Sequence, residues 1–292
     1  MQQTTGKFRK GLDKYYTAPA VAAACVTKLL EYLDPVAAAG AQWIEPSAGA
    51  GVFVDSLKAA VPGANCLAID LEPGAAAAAG VEKADFMAWE PPATASPRIV
   101  FGNPPFGIQS AHAIAFMKRA ESLGAEIVAF ILPRSFEKPS LQNRVPRIFE
   151  LVTSIRLAQD AFLVNDLPYD VPCCFQVWRR AVEARSRIVA VSPTLFTYVK
   201  KEEPHHMVIR RIGVNAGRAH LPDQKYSAES HYFIRLGQPL GADAINWIMS
   251  ELSEYPFSTS TVGPRSISKQ ELTPVLEPLL QEGLLLDALP AE

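Results

Sequence analysis

No stretch of about 18 consecutive apolar residues, the length a membrane-spanning helix needs, occurs anywhere in the 292 residues. Residues 1 to 14 are polar and basic and lack the apolar core of a secretory signal, so a cytoplasmic location with no membrane partner is expected. Cysteine is scarce. Cys25, Cys66, Cys173 and Cys174 form no Cys-x-x-Cys pair, and the adjacent two sit in an apolar run, as core residues of a reducing compartment would. The five histidines, His112, His205, His206, His220 and His231, are not interleaved with cysteines at ligand spacing, so no metal is expected. Charge of one sign is also lacking: the net value of −2 argues neither for nor against a polyanionic partner. What is present is apolar material, 49% of residues against 20% charged, enough for a globular core and against disorder over most of the chain.

Helical composition spans Ala18 to Leu33, with Val21, Cys25, Leu29 and Leu33 about four residues apart, and Pro35 is expected to end it. An alternating series follows: strand 42–45, the glycine turn 46–51, helix 52–60, strand 65–70, an alanine-rich helix near 74–79, a short segment to Asp85 and strand 98–102. It continues with helix 110–123, strand 126–132, a basic helix-loop over 134–149, and strands 151–158 and 171–178. Such alternation predicts an α/β, Rossmann-like architecture with a mostly parallel sheet covered by helices on both faces. Beyond residue 183 the pattern changes to strands at 187–191, 196–200, 208–212 and 231–236, then helices at 242–252 and 269–281. The expectation is a main domain, residues 1–183, and a smaller α+β domain, residues 184–292.

In an open parallel sheet, ligands bind beyond the carboxyl ends of the strands. Pro46-Ser47-Ala48-Gly49-Ala50-Gly51 lies at such an end, where Gly49 and Gly51 allow backbone to approach a ligand and the next helix offers free N–H groups. Glu45 precedes it, Asp70 and Leu71 end the next strand, and Asp85 and Phe86 follow the third. These suit an aminothioether nucleoside: Asp70 can accept ribose hydroxyl protons, Asp85 can accept from an adenine amino group, and Phe86 can pack on its ring. Glu45 would face the cationic part or organise the loop. A nicotinamide-type fingerprint would carry a third glycine where Val54 stands. Singly, each residue reads equally as a turn glycine or a solvated acid.

The strongest signal is Asn103-Pro104-Pro105-Phe106, directly after the apolar strand Ile99-Val100-Phe101-Gly102. A conjugated amino nitrogen is a poor nucleophile. Two acceptors, the Asn103 side-chain oxygen and the Pro104 carbonyl, can take its hydrogens and aim its lone pair, while Pro105 stiffens the loop and Phe106 offers a face for stacking. Over residues 15–180 the chain thus resembles class I S-adenosylmethionine-dependent amino-methyltransferases with an Asp/Asn/Ser-Pro-Pro-aromatic motif, which act on DNA adenine, RNA bases or release-factor glutamine. The resemblance implies a seven-stranded mostly parallel sheet, S-adenosylmethionine as cofactor, and catalytic roles for Asn103, Pro104, Pro105 and Phe106. It also implies cofactor contacts from Thr17, in Lys14-Tyr15-Tyr16-Thr17-Ala18-Pro19, and from Glu45, Pro46, Ser47, Gly49, Gly51, Asp70, Leu71, Asp85, Phe86 and Asn103. The order of these segments is similar to the gamma class of DNA adenine methyltransferases, whose terminal domain reads the target. Ala18 departs from the family's segment, and the second domain here is short.

For the substrate, three clusters are basic: Lys7, Arg9, Lys10 and Lys14; Arg134, Lys138, Arg144 and Arg147; and residues 185–235, with nine Lys/Arg against four Asp/Glu. Arg134, Phe136 and Lys138 could grip a target strand, and Tyr169 could stack on an extruded base. Lys200, Lys201, Arg210, Arg211 and Arg218, interleaved with Tyr198, Tyr226 and Tyr232, suit phosphates and bases. A solvated basic face, or a structural hairpin at 210–218, is the plainer alternative, and residues 258–272 could form a recognition loop. The resulting expectation is N6-adenine methylation of DNA, with nucleic acid as partner. RNA adenine methylation, protein glutamine methylation, and a nucleic-acid-binding protein with a vestigial cofactor fold follow in that order.

Overall fold

A computed structural model describes residues 16–73, 80–164, 167–189, 191–223, 225–257 and 265–288. The basic leader, the expected helix at 74–79 and half of the 258–272 loop lie outside them. The chain divides into two compact units, Met1–Arg187 and Ile188–Glu292.

In the first unit the elements are β1 (Tyr16–Thr17), α1 (Pro19–Leu30), α2 (Pro35–Gly40), β2 (Gln42–Glu45), α3 (Val52–Ala60), β3 (Asn65–Asp70), β4 (Val81–Lys83) and β5 (Arg98–Gly102). Then come α4 (Ala111–Ser122), β6 (Ala125–Pro133), α5 (Pro139–Gln142), β7 (Phe149–Arg156), β8 (Phe162–Val164), β9 (Leu167–Tyr169) and β10 (Cys173–Arg180). Seven strands form one sheet in the order β4-β3-β2-β5-β6-β10-β7. All neighbours are parallel except β10, which runs antiparallel to both β6 and β7. The seven-stranded, mostly parallel sheet implied by the resemblance is therefore present. Both faces are covered, because successive residues point to opposite sides. Trp43 and Phe101 pack with α1 and α3 residues on one face, their rings 5.2 Å apart and edge-on; Ile44, Val100 and Phe130 pack with α4 on the other.

Several local expectations need correction. Pro35 starts a helix instead of ending one: it occupies the first turn of α2, and the Asp34 carboxylate accepts from the N–H groups of Val36 and Ala37. The basic stretch after β6 yields only a 3-10 turn, Arg134–Glu137, and the one-turn α5, because Pro139 and Pro146 bracket it. A hairpin of β8 and β9 that pairs with β1 was not foreseen; its runs are three residues or fewer, too short for periodicity to register.

In the second unit, β11 (Phe196–Val199), β12 (Met207–Arg210), β13 (Ala219–His220) and β14 (His231–Leu236) form an antiparallel sheet in the order β11-β14-β12-β13, followed by α6 (Ala242–Glu254) and α7 (Lys269–Asp287). The strand expected from residue 187 does not form at 187–189. Phe196, Met207, Ile209, Ile234 and Leu236 form one core with Ile248 and Leu252 of α6 and Leu272, Leu276 and Leu280 of α7. Among the described residues no helix is long and apolar enough to cross a membrane, and no group of three or more His, Cys, Asp or Glu could hold a metal ion.

Helix α7 contains Pro274 and Pro278, each of which removes an internal N–H donor, so its start must be well secured. The Ser268 hydroxyl accepts from the Glu271 N–H at 3.2 Å while the Glu271 carboxylate accepts from the Ser268 N–H at 2.9 Å. Ser268→Ala should cost about 1 kcal/mol in urea unfolding; an unchanged midpoint would show that apolar packing alone holds the helix.

Candidate active site

Strands β2, β3 and β5 deliver Glu45, Asp70 and Asn103 to the same edge of the sheet, and Asp85 and Phe86 follow β4 there. Hydrogen bonds tie the turn after β2 to the segments on both sides. The Ser47 hydroxyl donates to the Asn103 carbonyl at 2.9 Å, and the Gly49 N–H donates to Asp70 Oδ2 at 2.8 Å. Asp70 Oδ1 accepts from the Glu72 N–H at 2.8 Å, and Asp85 Oδ1 from the Met87 N–H at 2.9 Å. From the other side, the short β1 brings Thr17 in, and Asn103 Nδ2 donates to its hydroxyl at 3.2 Å.

Glu45 is buried at 1% exposure. Its Oε2 has no hydrogen-bond partner, and the Val54 N–H is the one donor that favours its charged form. Burial, with the negative charges of Asp70 and Asp55 adding to it, pushes the Glu45 carboxyl well above the ordinary carboxylate range. Gly102 makes its position possible. A Cβ there would come 3.1 Å from Glu45 Cγ, and φ of 129° is one that side chains rarely adopt.

These residues enclose a cavity of about 330 Å³, within the range of small-ligand sites. Of the anticipated cofactor and catalytic residues, Thr17, Glu45, Pro46, Ser47, Gly49, Asp70, Leu71, Asp85, Phe86, Asn103, Pro104, Pro105 and Phe106 all line it. Gly51 lies between two lining residues, Ala50 and Val52, without lining the cavity itself. With φ of 84° it is the left-handed residue that starts α3, a backbone role that also calls for glycine. The wall also holds residues missed in the sequence. Tyr16 lies against Gly49, where a Cβ would be 3.5 Å from its ring; Glu72 and Met87 follow Asp70 and Asp85; His112 and Phe116 face it from α4. The spacing of four between His112 and Phe116 was the available signal for a shared helix face. Phe116 packs on Phe86 with ring centroids 5.1 Å apart.

The anticipated target-contacting residues fare less evenly. Phe136 is fully buried in the core beneath β6 and β10 and cannot grip a strand; an aromatic following a strand was simply part of the apolar series. Arg134 is half-buried, its N–H donating to the Pro172 carbonyl, and its Nε is buried without a partner. Lys138 is half-buried at the start of α5, and Tyr169 is 37% exposed on β9. In the second unit Lys200 and Arg218 are exposed and Lys201 is half-buried. Residues 210–218 form the hairpin between β12 and β13: the Arg210 N–H donates to the Arg218 carbonyl, and Arg210 Nε donates to the Ile212 carbonyl at 3.0 Å. Arg211 lies over the Tyr232 ring at 5.3 Å. Arg210, Arg211 and Arg218 pair with no carboxylate among the described residues. Tyr198 and Tyr232 instead serve the core side of the sheet, their hydroxyls bonded to Thr273 and to the Ile267 carbonyl.

No family model and no curated protein sequence matches the chain. Among solved structures it is similar to a provisionally assigned RNA methyltransferase from Pyrococcus horikoshii, with 13% identity over 59% of this chain and 88% of that one and a TM-score of 0.45. A type I restriction-modification methyltransferase subunit from Streptococcus thermophilus shares 14% identity over 59% of this chain and 46% of that one, with a TM-score of 0.41. The modification subunit of a provisionally assigned type I restriction enzyme from Vibrio vulnificus shares 13% over 92% of this chain and 61% of that one, with a TM-score of 0.42. Likeness this distant identifies no substrate.

Glu45 also gives the fold a pH signature. A carboxyl that holds its proton more tightly folded than unfolded takes up protons on folding. The stability it supports is complete below the ordinary value of 4.5 and is lost as pH climbs towards the raised value. Glu45→Gln stays neutral, so its stability relative to the parent should rise from pH 5 to pH 8 in urea unfolding. Parallel profiles would place the proton elsewhere.

Proposed function

We propose that the first unit transfers a methyl group from S-adenosylmethionine to the exocyclic N6 of adenine in DNA, and that the second unit supplies target contacts. The observation that carries this reading is the meeting, in one cavity, of Asn103-Pro104-Pro105-Phe106 with Thr17, Glu45, Asp70, Asp85 and Phe86. The residues fit the cofactor chemically. Each Asp70 oxygen accepts one backbone N–H and keeps a lone pair for a ribose hydroxyl. Asp85 can accept from the adenine amino group, buried Phe86 supplies an apolar wall for the ring, and the partnerless Glu45 Oε2 is an acceptor suited to a cationic ligand. The cofactor's contribution is a methyl group activated by a sulfonium.

The chain's own part is positioning. The Asn103 side-chain oxygen and the Pro104 carbonyl accept the two amino hydrogens, which localises the lone pair on nitrogen and aims it. Ser47 fixes the Asn103 backbone and Thr17 its side chain. Phe106, on the cavity wall, offers a face to the planar base, worth about 1 to 3 kcal/mol. Nitrogen would take the methyl as the carbon–sulfur bond breaks, the electron pair staying on sulfur as a neutral thioether, and would shed one proton to water. For the second unit, support comes from Arg210, Arg211 and Arg218, cations on or beside one sheet without carboxylate partners among the described residues, suited to phosphates.

With tritiated S-adenosylmethionine and duplex DNA, single-stranded DNA, RNA or release factor, label should appear in DNA as N6-methyl-2′-deoxyadenosine by mass spectrometry; label confined to protein or RNA would eliminate the DNA reading. Asn103→Ala should lower transfer on the order of 10²-fold or more while cofactor affinity by titration calorimetry changes little. Equal losses would reassign Asn103 to the cofactor. A cation in the cavity favours ionised Glu45, so cofactor binding should release a proton, seen as a binding heat that varies with buffer and no longer does so in Glu45→Gln.

A further inference from the structure

Ile108 is 82% exposed, yet it lies two residues after Phe106 and four before His112, both on the cavity wall. A lone exposed aliphatic side chain is ordinary; the way this one is held is not. Gly107 has φ 68° and ψ 175°, and the next two residues after Ile108, Gln109 and Ser110, have φ of 50° and 61°, in the left-handed region that non-glycine residues seldom occupy. Such backbone persists only where its surroundings impose it. Here Arg144 Nη1 donates to the Gln109 carbonyl at 2.9 Å, and the Ser110 N–H donates to the Gly107 carbonyl at 3.2 Å. Ser110 is buried, and Gly107 sits so close to His112 that a Cβ would be 2.7 Å from the imidazole Cγ. Ile108 is thus presented to solvent at the tip of a braced loop. Arg144 is exposed and pairs with no carboxylate among the described residues.

We infer that Ile108 is a wedge that enters the base stack of a double-stranded DNA target and fills the place of the extruded adenine, with Arg144 on a flanking phosphate. This rests on the DNA-adenine reading and deepens it by assigning the substrate as base-paired. A paired adenine cannot present its amino group to Asn103 until the nucleotide swings out of the helix. An apolar side chain pushed between base steps offsets the lost stacking, and a cation held beside it keeps the backbone in register. A single strand or a polypeptide would give such a side chain nothing to fill. No bond is made or broken in this step.

The test uses the full chain and duplex oligonucleotides built around a methylated site read from plasmid DNA, with the target adenine either paired to thymine or opposite an abasic site. Ile108→Ala should lower kcat/KM on the paired duplex about tenfold or more and on the abasic-opposed duplex less than about twofold, while Ile108→Leu stays near the parent on both. Arg144→Gln, which removes both a phosphate contact and the brace on the Ile108 loop, should weaken both duplexes, the paired one more. Equal losses for Ile108→Ala on the two duplexes, no loss on the paired one, or a parent enzyme that methylates only single strands would each overturn the wedge. If the parent methylates no DNA, the underlying reading fails first, and the wedge with it.

Discussion

The site depends on the turn after β2 being bonded to segments on both sides. Ser47 holds the carbonyl of Asn103 from the strand on one flank, and the Gly49 amide holds the carboxylate of Asp70 from the other. Because the strands are parallel and buried on both faces, their carboxyl ends emerge together, and a small displacement of the central turn would separate the nucleoside-type acids from the Asn-Pro-Pro-Phe loop. Preorganisation of this kind matters most for a reaction in which the protein supplies geometry and fixed dipoles instead of a nucleophile or metal.

Beneath that turn lies an electrostatic compromise. Glu45 ends a strand buried throughout, and its nearest charges are other carboxylates. A buried acid without a cation is expensive when ionised, so its carboxyl is pushed towards the protonated form, and one of its oxygens stays without a partner. Gly102 belongs to the same compromise, since any side chain there would press on Glu45. One residue further on, the chain enters the Asn-Pro-Pro-Phe loop, so the packing under the cavity and a segment of its wall are set by adjacent positions.

The second unit shows how composition misleads when orientation is unknown. Tyrosines interleaved with arginines suggested a stacking platform, but Tyr198 and Tyr232 are bonded to the α7 region on the core side of the sheet. The arginines pair with no carboxylate among the described residues, and the 210–218 hairpin uses backbone and guanidinium donors to close itself. A mixed polar and aromatic strand does not announce which of its two faces is covered.

Sequence alone determined the alternation of strands and helices, the residues at the strand ends and the place of the Asn-Pro-Pro-Phe loop directly after an apolar strand, because these are written in local periodicity, turn residues and short motifs. Only the tertiary structure decided that β10 inserts antiparallel between β6 and β7, that Pro35 opens a helix, that Phe136 belongs to the core and Gly51 to a helix start, and that Tyr16, His112 and Phe116 share the cavity with Asn103. The physical reason is that burial and strand order arise from contacts between segments far apart in the chain, whose energies no local pattern records.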